Sequence, residues 1–379
     1  MAAPHNRMFN NNRLKLGIFS ANCSSGMAVT KIEERWDASW ENNVKIAQQA
    51  DDAGLEFMLP IARWIGYGGE TNFHNHVLET LAWCAGLLAK TRGITVFATT
   101  HTAFFHPIVA AKQLATMDHI GDGRMGLNVV CGWNKPEYDM FQIEMPNDHD
   151  TRYGLGQEWT DIIKKIWTES DPFDWHGQFY NLRDVVGDPK PRYGIPPLMN
   201  AGASSQGRDF AAKNVDYLFT IVADPEGAKD QVDDVIQRAQ KFPESRLKGV
   251  FTSSHVVCRP TRKEALEFYD YYANENADWE ATDNLMRLQG MHSQSFSKEM
   301  LDMFRARFAA GHGTYPLIGT PDEIADELER LVTLSGLKGT TLAFVDYAKE
   351  FPYFAQEVLP RLEAKGLREP LRDSATAAE

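Results

Sequence analysis

The stretch RMGLNVVCGWNKPEYD, residues 124–139, begins as a buried strand and ends as a polar and aromatic cluster. Residues 125–130 form an apolar run of strand length. The next seven residues bring together an indole, an amide, a lysine and a glutamate. A purely structural strand does not need such a cluster at its end, so the surrounding sequence must explain it.

Short apolar or β-branched runs alternate with helical patterns along most of the chain. Further strands are predicted near residues 14, 56, 94, 197, 217, 249 and 340, and the clearest helices at residues 36–53, 74–90, 107–119 and 152–167. Strands that alternate with helices pair in parallel through right-handed crossovers. Eight such strands in 379 residues predict an α/β fold, a (β/α)8 TIM barrel, with an open doubly wound sheet as the alternative.

Two segments interrupt the alternation. Residues 173–185 alternate aromatic and polar side chains around a His-Gly pair, which predicts a hairpin. Residues 271–314 are rich in Asn, Met, Gln and Ser, and they predict a partly helical insertion before a helix that starts at Thr320 and Pro321. No linker divides the chain, so residues 1–379 are expected to form a single barrel domain with this insertion.

Composition excludes several classes of partner. Lys and Arg number 39 against 52 Asp and Glu, a net charge of −13 that argues against nucleic acid and anionic membranes. No segment has the roughly 18 apolar residues of a spanning helix, and the first residues lack the apolar core of a leader. Four scattered cysteines form no paired spacing. We expect a cytoplasmic protein with reduced thiols.

Several motifs are misleading. GDGRMG, residues 121–126, fits the dinucleotide pattern, but it follows a helix and opens a strand, whereas a nucleotide fingerprint does the reverse. The interpretation is therefore a helix stop and turn. His74 and His76 lie two apart on the predicted helix and would point to different faces, so no metal site is expected. His101 and His106 follow the third strand, where contact with a ligand and simple packing are equal alternatives.

The carboxyl ends of the strands carry the most informative residues, because active sites of this barrel lie there. These ends gather hydroxyls, amides, small residues and one indole, together with an isoleucine, an arginine and a histidine: Ile61, Ala62, Arg63, Thr99, Thr100, His101, Asn128, Trp133, Asn200, Gly202, Ala203 and Ser204. They lack a carboxylate pair, a nucleophile beside a base, and a metal cluster. A bound cofactor is therefore expected to carry the reaction, with the protein orienting it.

LATMDHIGDGRMGLNVVCGWNKPEYDMF, residues 114–141, closely resembles the bacterial luciferase-like flavin monooxygenases, in particular the pyrimidine and dimethyl sulfone monooxygenase subgroup. DTRYGLGQEW from residue 150, NAGASSQGRDFA from residue 200 and LIGTPDEIADEL from residue 317 extend the likeness over nearly the whole chain. The resemblance implies a (β/α)8 barrel that takes reduced FMN and O2 and oxygenates a substrate by way of a flavin peroxide.

The same resemblance assigns roles to individual residues. Thr99 and Asn128 would line the O2 pocket as the catalytic pair. The residues that would contact FMN are Ile61, Ala62, Asn128, Glu137, Arg152, Tyr153 and Ser204. Those that would enclose the substrate are Leu59, Trp133 and Phe219, with His101 added by its position. For Glu137, a surface pair with Lys135 is the alternative.

The resemblance also implies a protein partner, an oligomeric state and a substrate class, and it leaves alternative functions open. FMN would arrive reduced from a separate NAD(P)H-dependent flavin reductase, and the chain would form a homodimer or homotetramer. The expected substrate is a small planar N-heterocycle, similar to a pyrimidine or pyridine. An organosulfur or halogenated aromatic substrate, a deazaflavin-dependent dehydrogenase and a non-catalytic flavin-binding protein are the alternatives.

Overall fold

The computed structural model describes residues 6–290 and 298–371. Its strands, in chain order, are Lys15–Phe19 (β1), Phe57–Leu59 (β2), Thr95–His101 (β3), Met125–Val130 (β4), Phe173–His176 (β5), Asn181–Val185 (β6), Leu198–Asn200 (β7), Tyr217–Phe219 (β8), Gly249–Cys258 (β9), Tyr315–Gly319 (β10) and Gly339–Ala343 (β11).

Eight of these strands close into a parallel barrel. The order around the ring is β1, β2, β3, β4, β7, β8, β9 and β11, and β11 pairs with β1 to complete it. Burial of the strand residues on both faces is typical of parallel strands covered by helices. The predicted (β/α)8 barrel is confirmed, because an open sheet would leave two edges unpaired.

Helices surround the barrel. Their bounds are Trp40–Asp52 (α1), Thr80–Lys90 (α2), Pro107–Ile120 (α3), Lys135–Met140 (α4), His149–Thr168 (α5), Ser205–Asn214 (α6), Pro225–Ala239 (α7), Arg262–Asp270 (α8), Trp279–Leu288 (α9), Lys298–Gly311 (α10), Pro321–Ser335 (α11) and Tyr347–Ala364 (α12). None of the helices in the described ranges is long and apolar enough to cross a membrane.

An aromatic layer fills the amino-terminal half of the barrel. The Phe57 ring lies 5.8 Å from that of Phe97 and 5.6 Å from that of Phe251, which in turn lies 4.7 Å from the Tyr217 ring. Gly17 faces the same layer, where a Cβ atom would come within 2.5 Å of the Phe57 ring. This packing fills the amino-terminal half of the barrel, whereas the polar strand ends lie at its carboxyl end.

The two predicted interruptions have different outcomes. The hairpin is confirmed, with β5 antiparallel to β6. The region predicted as an insertion contains α9 and α10, and residues 291–297 of it lie outside the described residues. Strand β10 follows it and pairs with the last five residues of β9, beyond the point where β8 ends. The sequence analysis did not predict β10.

Local signals set the helix boundaries. The helix predicted at residues 74–90 starts only at Thr80, because His74 has a left-handed φ of 59° and the Glu79 side chain caps the helix. His74 and His76 therefore do not lie on a helix, contrary to the prediction. The Gly121 turn and the capping box at Thr320 are confirmed. Helix α5 starts at His149, three residues before its predicted start.

Candidate active site

Five of the predicted site residues face the barrel interior just above the aromatic layer. Side chains of a strand alternate between its faces, so the residue two positions after an interior residue is interior too. This rule places Leu59 above Phe57, and Phe219 above Tyr217. The same rule, with the interior positions 97 and 126, identifies the others as Thr99, His101 and Asn128. The Phe19 and Phe219 rings meet across the barrel at 5.2 Å, which agrees with this placement.

Thr99 and Asn128 form one hydrogen-bonded unit. They are register partners on β3 and β4, and the Asn128 Nδ2 donates to the Thr99 Oγ1 at 3.2 Å. The Thr99 hydroxyl donates in turn to the Pro60 carbonyl at 2.7 Å. The amide orientation leaves the buried Asn128 Oδ1 without a partner among the described residues. A buried acceptor of this kind needs a donor from outside the protein, on a ligand or a bound water.

The end of β2 is held by a single side chain. The Asn22 Oδ1 accepts from the Ile61 N–H at 3.0 Å, and its Nδ2 donates to the Ile61 carbonyl at 2.8 Å. Ile61 and Ala62 are half-buried in this fixed segment. The backbone is thus rigid where a flat ring is expected to rest.

Glu137 has a different partner from the one considered in the sequence analysis. Its carboxylate lies 2.9 Å from the Arg63 Nη1 and accepts from the Trp64 N–H at 2.9 Å, with both charged side chains almost fully buried. Lys135 pairs instead with Asp139 at the surface. The surface pair between Glu137 and Lys135 is therefore wrong, and Glu137 secures the loop after β2 to α4.

His101 and Trp133 lie on either side of this ion pair. The His101 Nε2 is 4.0 Å from the Glu137 Oε2, and the Arg63 guanidinium lies 5.1 Å from the Trp133 ring. Burial, followed by the charge of Arg63, lowers the pKa of His101 to about 3, so its imidazole is neutral at physiological pH. Trp133 is 36% exposed, which places it at the entrance.

Three of the residues expected to contact FMN, Arg152, Tyr153 and Ser204, lie where α5 and α6 begin. The Tyr153 ring packs against Phe210 at 5.8 Å. Burial raises the pKa of Tyr153 to about 12, although its hydrogen bond with Ser204 opposes the shift. Arg152 is buried beside it, and its guanidinium contacts the Pro146 carbonyl and, at 3.1 Å, the His149 Nδ1.

Two glycines open a space around the Tyr153 hydroxyl. A Cβ atom would lie 2.7 Å from that hydroxyl at Gly202 and 2.5 Å from it at Gly207. The Gly207 N–H donates to the Ser204 Oγ, which caps α6. Exposed N–H groups at a helix start favour a phosphate group.

Asn200 joins the two ends of the site. Its Nδ2 donates to the Val129 carbonyl on β4 at 2.8 Å, and its Oδ1 accepts from the Gly202 N–H at 2.9 Å. The strand that carries Asn128 is thereby coupled to the turn before α6. The sequence analysis noted Asn200 as a strand end but did not predict this role.

Other candidates have structural roles. The His106 side chain caps α3 by accepting from the Ile108 N–H at 3.3 Å. Burial raises the pKa of the Cys131 thiol to about 12, so it is not an activated nucleophile. Within the part of the chain that the structure describes, no group of three or more His, Cys, Asp or Glu could hold a metal ion.

Tyr67 and His312 were not predicted as site residues, and His74 was considered only as a metal ligand. Tyr67 and His74 lie in the loop after β2, and His312 follows α10. Arg63 was noted at a strand end but was given no role. His312 lies far in sequence from Arg63, Tyr67 and His74, so the sequence does not indicate that these residues form a cluster.

Comparison with known proteins finds similar chains along most of the length of this one. The family described as luciferase-like monooxygenase matches residues 14–337. An FMNH2-dependent dimethylsulfone monooxygenase of Pseudomonas fluorescens is 34% identical over 93% of this chain and 96% of its own length. The pyrimidine monooxygenase RutA of Acinetobacter baylyi is 28% identical over 93% of this chain and 95% of its own.

A solved structure shares the fold. The crystal structure of DmoA from Hyphomicrobium sulfonivorans superposes with a TM-score of 0.82 at 20% identity, and the match covers 93% of this chain and 89% of that one. The subgroup predicted from the sequence is confirmed by the two relatives above. With the family match extending over most of the barrel, the chain belongs to the luciferase-like monooxygenase family.

Proposed function

We propose that this chain is a two-component monooxygenase that uses reduced FMN and O2 to oxygenate a small planar N-heterocycle. The observation that carries the proposal is the unpartnered Oδ1 of Asn128, held at the barrel mouth by the hydrogen bond to Thr99. A ring N–H of a flavin is a donor that this acceptor can bind. Family membership and the names of the relatives support the same cofactor.

The described residues fit FMN at both of its ends. The ring system would rest on the fixed backbone of Ile61 and Ala62 and meet Asn128. Its phosphate would lie between Arg152, Tyr153 and the start of α6 at Ser204, where Gly202 and Gly207 leave room. The contact between Glu137 and FMN stays a prediction, since the Glu137 Oε1 already binds Arg63 and the Trp64 N–H.

Bound reduced FMN supplies two electrons, so that one oxygen atom of O2 enters the substrate and the other leaves as water. The protein's contribution is orientation and exclusion of water. Thr99 fixes the Asn128 amide, and the apolar side chains of Leu59 and Phe219 keep the interior dry. Neutral His101 can donate or accept a hydrogen bond without adding charge. A separate NAD(P)H-dependent flavin reductase would supply the reduced cofactor.

An organosulfur substrate is the second candidate. The relative named for dimethylsulfone is 34% identical, against 28% for the relative named for pyrimidines. A reductase-coupled assay with NADH, FMN and either uracil or dimethyl sulfone separates the two. Product formed from uracil alone supports the N-heterocycle. Product from dimethyl sulfone alone overturns that choice, and flavin binding with no product from either overturns the proposed enzyme.

A further inference from the structure

A cluster of four polar side chains lies beside the candidate site. It consists of Arg63, Tyr67, His74 and His312, which we call the Tyr67 cluster. The three rings form a triangle with centroid distances of 5.9 Å, 6.0 Å and 6.3 Å. The Arg63 guanidinium lies 5.1 Å from the Tyr67 ring.

The cluster contains buried polar atoms that the fold does not use. Counting only residues 6–290 and 298–371, no hydrogen-bond partner is found for the Arg63 Nε, the Tyr67 hydroxyl, the His74 Nδ1 or the His312 Nδ1. Tyr67 is 3% exposed and His74 is fully buried. Buried polar groups nearly always have a partner. Four unpartnered atoms in one cluster therefore call for partners other than the protein's own groups, either a ligand or bound water.

The neighbours of His74 fix its role in hydrogen bonding. Its Nε2 lies 2.6 Å from the Gly26 carbonyl, which can only accept, so the Nε2 carries the proton. Burial is the main cause that keeps the pKa of His74 well below its ordinary value. The imidazole is therefore neutral, and its Nδ1 is an acceptor.

The Nδ1 of His312 is a hydrogen-bond donor, unlike the Nδ1 of His74. Its Nε2 lies 3.0 Å from the Gln289 amide nitrogen, which donates, so the proton of the neutral ring is on Nδ1. Burial, followed by the charge of Arg63, lowers the pKa of His312 to about 3. The cluster thus offers one acceptor at His74 and donors at His312 and Arg63.

The charge balance of the cluster also restricts the kind of ligand that it can bind. Glu137 pairs with Arg63 at 2.9 Å, so the cluster and this carboxylate together carry no net charge. An anionic ligand would leave its charge buried without compensation, which is unfavourable. The Tyr67 hydroxyl can donate or accept. The pattern suits an uncharged ligand with an N–H donor next to a carbonyl acceptor.

We propose that the Tyr67 cluster is the substrate subsite, and that it selects an uncharged cyclic amide. The ligand N–H would donate to the His74 Nδ1, and its carbonyl would accept from both the Tyr67 hydroxyl and the His312 Nδ1, beside the Arg63 guanidinium. The cluster adjoins the candidate active site, because the same Arg63 guanidinium lies 5.1 Å from Trp133 at the entrance. This assignment rests on the proposed function.

The assignment separates the two substrate classes. A sulfone has acceptor oxygens and no donor, so it would leave the His74 Nδ1 buried and unpaired. One unsatisfied buried group weakens binding by roughly tenfold to a hundredfold. A cyclic amide avoids that loss.

Calorimetric titration of the full-length, FMN-loaded protein tests the assignment with four probes: uracil, 2-pyridone, N-methyl-2-pyridone and dimethyl sulfone. Uracil and 2-pyridone should bind at least about tenfold more tightly than the other two. Tyr67→Phe and His312→Phe should each weaken their binding by about tenfold. Equal affinity for dimethyl sulfone, no binding of either amide, or unchanged affinities in both variants would overturn the assignment.

Tyr272→Phe is the matched control. Tyr272 is also a buried tyrosine near the end of α10, but its hydroxyl donates to the Ala310 carbonyl at 3.1 Å. This variant should lose thermal stability and keep the probe affinities, whereas Tyr67→Phe should keep its stability. FMN titration of each protein shows whether the subsite assignment alone has failed or the proposed function as well. A chain that binds no FMN overturns the proposed function together with the subsite, and FMN binding without amide preference overturns the subsite alone.

Discussion

The Asn128 side-chain amide donates to the Thr99 hydroxyl at 3.2 Å, directly across two neighbouring strands of the barrel. Because the Thr99 hydroxyl gives its own proton to the Pro60 carbonyl, the Asn128 amide can only present its nitrogen to Thr99. The Asn128 oxygen is then left without a partner among the described residues. The orientation of one amide thus depends on one hydroxyl.

Replacing that hydroxyl should affect both stability and cofactor binding. Thr99→Val keeps the shape of the side chain but removes the bond to Pro60 and the acceptor for Asn128. We expect about 1–2 kcal/mol lower stability in urea unfolding and weaker FMN binding by fluorescence titration. Thr252→Val is the control, since the Thr252 hydroxyl on β9 has no partner among the described residues. Equal FMN affinity in both variants would contradict the role of Thr99.

Removing one partner of the buried ion pair between Arg63 and Glu137 should strongly reduce the stability of the protein. Glu137→Gln leaves the Arg63 charge uncompensated, and about 3–5 kcal/mol of the free energy of unfolding should be lost. Lys135→Met breaks the exposed pair with Asp139 and should cost less than about 1 kcal/mol. Urea unfolding of both variants measures the difference. Similar losses of stability in the two variants would show that Glu137 does not compensate the buried charge of Arg63.

The space at the start of α6 should be needed for the cofactor phosphate. Gly207→Ala places a methyl group 2.5 Å from the Tyr153 hydroxyl, and FMN affinity should fall by about tenfold or more, ~1.4 kcal/mol. Gly227→Ala is the matched control. Gly227 is likewise near a helix start and donates to the capping Asp224, but its Cβ atom would lie 3.3 Å from the nearest atom. Unchanged FMN affinity in Gly207→Ala would exclude this phosphate site.

Buried histidines should make the protein sensitive to mild acid. Burial is the main cause that lowers the pKa of four of them: His74, His101, His255 and His312. The unfolded chain binds protons near pH 6.5, whereas three of these folded imidazoles titrate only at about pH 3. Their contribution to stability is therefore complete above pH 6.5 and is lost as the pH falls toward 3.

Each such histidine should reduce stability by up to about 1.4 kcal/mol per pH unit in this range. Urea midpoints measured between pH 8 and pH 5 should stay constant at first and then fall below pH 6.5. His255→Gln should reduce the slope. Midpoints that do not change between pH 7 and pH 5 would contradict the burial of neutral imidazoles.

The barrel could be predicted from the sequence because its signals are local. Apolar strand runs alternate with helices along the chain. Thr320 and Pro321 indicate the start of α11 by their residue types alone, whatever the rest of the chain does. Strand β10 was missed because Pro316 and the neighbouring polar segment weaken its pattern. The start of α2 was misplaced because the left-handed backbone of His74 is set by tertiary packing.

The site was predictable only in part, for the same reason. Asn128 and Trp133 stand in a motif that resembles the family, so their candidacy needed no structure. The pair between Arg63 and Glu137 joins residues 74 apart in sequence, and the approach of His74 to His312 spans a still longer separation. Such contacts are decided by the fold, and neither residue's immediate neighbours reveal them.

The activity proposed for this chain is the transfer of one oxygen atom from O2 to the substrate with reduced FMN. The most direct measurement supplies a flavin reductase, NADH, FMN, uracil and 18O2, and follows the product by mass spectrometry. We expect one 18O atom in each product molecule, no 18O when the label is in water, and strongly reduced product with Asn128→Ala. Product that carries oxygen from water, or FMN-loaded protein that consumes O2 equally with and without every substrate offered, would contradict it.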